Sequence, residues 1–64
     1  MSDYYVCTSP DFDNEVIDVV LILGGIECWV KGFDDIDWKD ALEFAGSLSK
    51  RLGLKYKGEI NLNE

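Results

Sequence analysis

From Glu15 to Phe33 two β-branched, apolar runs flank Gly24-Gly25, a pair suited to the positive φ angles of a two-residue hairpin turn. This pattern predicts a hairpin over 15–33. With the glycines as the turn, Leu23 faces Ile26, Leu21 faces Cys28, Val20 faces Trp29 and Asp18 faces Lys31, the last an opposite-charge pair. The register also sorts the faces. Ile17, Val19, Leu21, Leu23, Ile26, Cys28 and Val30 share one side without a polar side chain, which makes it the core side. Val16, Asp18, Val20, Ile22, Glu27, Trp29, Lys31 and Phe33 share the other.

A helix is expected next, over about 38–52. Asp37 stands at the N-cap, Asp40 and Glu43 bring negative charge to the start, Lys50 and Arg51 bring positive charge to the end, and Gly53 stops it. Trp38, Ala41, Leu42, Ala45, Leu48 and Leu52 recur at helical spacing as one stripe, widened by Phe44. Gly46 interrupts the pattern, which suggests a close approach to a sheet at that point. Tyr4–Thr8 reads as a short strand, at an edge, running into a Ser9-Pro10-Asp11 loop. In the terminal run Leu54, Tyr56, Ile60 and Leu62 alternate with Lys55, Lys57, Glu59 and Asn61, a last strand with two faces. The expectation is one α+β domain over 1–64 in the order βββαβ, with a small antiparallel or mixed sheet of three to four strands packed on one helix. Strand order stays open.

Composition agrees with a folded chain. Hydrophobic residues make up 47% of the 64 positions and aromatics 12%, well above the level at which a chain cannot bury enough apolar surface to fold. Two cysteines, Cys7 and Cys28, are too few for a secreted disulfide framework. They read as small buried hydrophobes, with a Cys7–Cys28 disulfide or a reactive thiol as alternatives. No apolar run approaches bilayer-spanning length, and no basic, apolar and cleavable sequence opens the chain; cytoplasmic residence is the expectation.

Charge changes the picture more. The net charge is -7, with eleven acids and two bases in residues 1–43 against two acids and four bases in residues 44–64. Direct binding to a phosphate backbone, which depends on Lys and Arg, is disfavoured, and a basic partner is favoured.

The familiar chemistries fail on particular residues. Asp11-Phe12-Asp13-Asn14-Glu15 opens like a calcium loop, but its sixth position is Val16 where glycine is needed and its twelfth is Ile22 where a bidentate glutamate is needed. Without histidine, and with two distant cysteines, no ordinary zinc ligand set can form. The chain also lacks a nucleophile elbow and a glycine-rich phosphate loop between strand and helix. The expectation is a protein that is not an enzyme and uses no metal or cofactor.

Two surfaces remain. The acidic residues Asp34, Asp35, Asp37, Asp40 and Glu43, with Asp11, Asp13 and Glu15, could present carboxylates at spacings resembling phosphates; the plain alternative is a capped helix with a solvated face. On the outer hairpin face Val20, Ile22, Trp29 and Phe33, beside Val16, are expected to form an exposed apolar patch, unless an N-terminal segment with Tyr4, Tyr5 and Phe12 folds over it. The leading expectation is a small acidic protein that docks on and blocks a basic, nucleic-acid-binding surface of another protein. Its general profile is similar to that of small inhibitors from bacteriophages and mobile elements, including anti-CRISPR proteins and DNA mimics, a likeness of class that no motif carries. The alternative is a homodimeric structural or assembly subunit joined through the outer hairpin face. A third reading takes Lys50, Arg51, Lys55 and Lys57 around Tyr56 as a nucleic-acid site.

Overall fold

The structure is a computed structural model that describes residues 3–62. Strands β1 (Tyr4–Asp11), β2 (Val16–Leu23) and β3 (Ile26–Asp34) are followed by a 3-10 turn at Asp35–Asp37, helix α1 (Trp38–Leu52) and strand β4 (Lys55–Glu59). They form an α+β fold in the order βββαβ. The sheet is mixed and runs β3-β2-β1-β4, with antiparallel β1–β2 and β2–β3 pairs and a parallel β1–β4 pair.

The glycine turn is where the pattern put it. Gly24 and Gly25 have φ of 63° and 81°, and Leu23–Ile26, Leu21–Cys28 and Val20–Trp29 pair as expected. Beyond Trp29 the ladder departs from that register. A bulge gives β3 one extra residue, so Val19 pairs with Lys31, and Asp18 pairs with Gly32 instead of Lys31. One inserted residue exchanges the faces of everything after it. Lys31 and Phe33 therefore turn to the helix side: the two phenyl centroids of Phe33 and Phe44 lie 5.6 Å apart, with the Lys31 ammonium 5.0 Å from the first.

The first strand is longer than its apolar run and is interior to the sheet. Ser9, Pro10 and Asp11 continue it. Proline is tolerated there because β4 pairs with β1 only between Tyr5 and Thr8, which leaves Pro10 with a neighbouring strand on one side alone.

Helix α1 has its expected limits, ending at Gly53 in the left-handed conformation. Asp37 occupies the N-cap position but makes no side-chain capping bond. Ala41, Ala45 and Ser49 are the buried helix residues, and Ala45 packs against Val6 and Val19. These small side chains bring helix and sheet together. Gly46 does not: a Cβ added there would meet nothing within 4 Å.

The other face of the sheet has its own cluster of Cys7, Val20 and Ile22, covered by Tyr5, Ile60 and Leu62. A second bulge makes this possible. The β1–β4 register shifts between Val6 and Thr8, next to Gly58 with its φ of 83°. Tyr56 consequently packs toward the helix while Ile60 and Leu62 cross to the opposite face, contrary to the single alternation expected for the terminal run. Two hydrogen bonds hold the crossing: the Ile60 N–H donates to the Thr8 carbonyl at 2.8 Å and the Leu62 N–H to the Ser9 hydroxyl at 3.1 Å. The buried Thr8 hydroxyl lies 3.1 Å from that of Tyr56. Among the described residues every buried side-chain nitrogen and oxygen has a partner, and no helix is long and apolar enough to cross a membrane.

Candidate functional site

Three strand ends and the start of the helix meet at one end of the molecule. Asp11 pairs with Val16 and Val16 with Asp34, so positions 11 and 34 lie in one row, two strand spacings or about 10 Å apart. The Asp35 N–H donates to the Glu15 carbonyl at 3.0 Å and ties the β1–β2 turn to the segment before the helix. Asp11, Asp13, Glu15, Asp34, Asp35 and Asp37 thus share this end, although some twenty positions separate the two acidic runs in the chain.

Not every carboxylate is equally free to meet a partner. Asp11 also shapes its own turn, accepting from the Asn14 side-chain amide at 2.7 Å and from the Asn14 backbone N–H at 3.3 Å. Asp40 and Glu43 lie farther along α1 and line a groove with Lys31, whose ammonium offsets part of their charge.

Two apolar side chains project among the acids. Phe12 is 76% exposed and Ile36 is 82% exposed. The local sequences match: Asp11-Phe12-Asp13 and Asp35-Ile36-Asp37 each set one apolar residue between two aspartates. That repeated triplet is the signal by which the sequence could have singled out Ile36.

The outer hairpin face differs from expectation. Val20 and Ile22 are buried beneath the chain's own Ile60 and Leu62, and Phe33 is half-buried on the helix side. Of the N-terminal residues expected as an alternative cover, Tyr5 packs on this cluster while Tyr4 and Phe12 stay exposed, and the rest of the cover is C-terminal. Of the four apolar residues expected at this surface only Trp29 is exposed, at 65%. Its indole N–H donates to the Asp18 carboxylate at 3.1 Å.

No protein-family model, curated protein or solved structure matches this chain.

The remaining candidates separate in space. Tyr56 turns to the helix, whereas the Lys57 ammonium lies on the other side of the sheet, 4.2 Å from the Tyr5 ring centroid. The basic residues thus do not surround Tyr56 on one face. Among the described residues no three of His, Cys, Asp and Glu come together as a metal site.

Both cysteines are free and lie on opposite faces of the sheet, Cys7 in the outer cluster and Cys28 opposite Leu21 on the helix side. Burial first, and the Glu27 carboxylate second, push the Cys7 thiol above its ordinary value of 9.0. The folded protein holds this proton more tightly than the unfolded chain does. The stability linked to Cys7 is therefore intact below about pH 9 and declines as pH rises beyond it. A disulfide reagent at pH 8 is expected to label Cys28 readily and Cys7 only when urea is added. Equal labelling rates in the folded protein would show that the outer cluster does not enclose Cys7.

Proposed function

We propose that this protein binds a basic, nucleic-acid-binding surface of another protein and blocks it. The observation that carries the reading is the convergence of two separate acidic runs, each with an exposed apolar residue between two aspartates, on one end of a very small fold. Carboxylates on a rigid framework can take up Lys and Arg groups that would otherwise hold phosphates, and they speed encounter by long-range attraction. Phe12 and Ile36 supply what charge alone does not, apolar area at the centre of the contact, where most binding energy is concentrated.

The test is capture from a bacterial lysate at low and high salt, followed by affinity measurement on the purified partner. With Asp34, Asp35, Asp37 and Asp40 all changed to Asn, affinity is expected to fall about 100-fold, since four interfacial charges at about 0.7 kcal/mol each sum to two factors of ten. The salt dependence should flatten in parallel. A captured partner that binds the quadruple variant with unchanged affinity and salt slope would refute the reading, as would one whose hold on nucleic acid is unaffected by the wild-type protein.

A further inference from the structure

Trp29 differs from four of the other aromatic residues in its electrostatic surroundings. Tyr5, Phe33, Phe44 and Trp38 each have one of the chain's own lysine ammonium groups within 4.2 to 5.6 Å of the ring centroid. Among the described residues Trp29 has none. Its neighbours are carboxylates: Asp18 holds the indole N–H, and Glu27 stands two residues back on the same face of β3, about 7 Å along the strand.

The ring is also fixed in place. A Cβ at position 32 would lie 3.2 Å from Asp18 Oδ1 and 3.6 Å from Trp29 Cζ2, so glycine at 32 is what lets the indole and carboxylate settle against the strand. Beside the ring is a hollow of about 190 Å³, floored by Val20 and Leu62 and bordered by Asp18 and Glu27. That is smaller than the roughly 300 Å³ at which small-molecule pockets begin, and it suits one long side chain.

We infer that this hollow receives an arginine side chain of the protein partner, with its guanidinium against the Trp29 indole and its N–H groups directed to Asp18 and Glu27. Tryptophan is the best aromatic acceptor of a cation, and the planar guanidinium can stack on the ring while donating to carboxylates at its edge. A lysine ammonium can satisfy the charge but not the stacking. Asp34 lies on the same face of β3, two residues beyond Gly32, so the hollow and this residue of the acidic end share one face of the sheet. The inference rests on the reading of that end as a docking surface for a basic partner, and it names the group the partner brings.

The test uses the full chain and small probes, and so does not depend on capturing the partner. N-acetylarginine amide is titrated while the two indole N–H signals are followed by NMR, with the citrulline and lysine analogues as comparisons. The expected result is a saturable shift at Trp29 and none at Trp38, strongest with arginine, absent with the neutral citrulline analogue, and about threefold weaker in affinity with Glu27→Gln, an exposed substitution. A Trp29 signal that does not move, that moves equally with citrulline or lysine, or that is indifferent to Glu27→Gln would overturn the inference. The two failures are separable. A specific arginine response together with an unaffected quadruple Asp variant would refute the acidic-end reading and leave this site standing; salt-dependent partner binding without an arginine response would do the reverse.

Discussion

Changing Ile60 and Leu62 together to alanine is expected to lower the unfolding free energy by about 3 kcal/mol and to make the protein self-associate. The two side chains cover Cys7, Val20 and Ile22, and they are themselves half-buried, so each truncation should cost about 1–2 kcal/mol, less than a fully buried leucine would. A chain of this size has roughly 3–9 kcal/mol in total, at 0.05–0.15 kcal/mol per residue. Losing 3 of those removes a large share. The substitution also uncovers an apolar face beside Trp29, which should appear in light scattering as a mass that grows with concentration more steeply than that of the wild type. Urea unfolding with an unchanged midpoint, or a variant that remains monomeric at high micromolar concentration, would show that this segment does not close the second core.

Ala45→Leu is expected to be comparably damaging for the opposite reason. Ala45 is completely buried against Val6 and Val19, between the helix and the sheet. A larger side chain has to lift the helix or distort its neighbours, at a cost of about 1–3 kcal/mol. The next residue supplies the control. Gly46→Ala adds a Cβ that meets nothing and removes a glycine from a helix interior, so it should stabilise by about 1 kcal/mol. The two substitutions, one position apart, should shift the urea midpoint in opposite directions. A tolerated leucine at 45, or a destabilising alanine at 46, would mean that the helix presents a different face to the sheet.

These cases show which information is local. The Gly24-Gly25 turn, the helix limits at Trp38 and Leu52 and the stop at Gly53 follow from short stretches of sequence, because turn chemistry, apolar spacing and capping act within a few residues. The acidic residues were legible in the same way, as two runs, and Asp-Phe-Asp and Asp-Ile-Asp were there to be noticed as a repeated triplet. Trp29 could be placed on the outer face from the hairpin register alone, since its pairing with Val20 precedes the bulge, but that it stays exposed while Val20 and Ile22 are covered was decided by the tertiary structure.

The residues assigned to the wrong face share one cause. Alternation along a strand predicts a face only while the ladder stays regular, and each of the two bulges breaks that regularity at a point set by the partner strand. The first sends Lys31 and Phe33 to the helix; the second sends Ile60 and Leu62 away from it.

By itself, then, the sequence determined the kinds and limits of most elements and an excess of negative charge in the first two-thirds of the chain. Only the tertiary structure decided the order β3-β2-β1-β4, the face on which each residue after a bulge lies, and the meeting of residues 11–15 with residues 34–37. Strand order and bulges arise from pairing between distant segments, a free-energy balance over the whole sheet that no short window of residues contains.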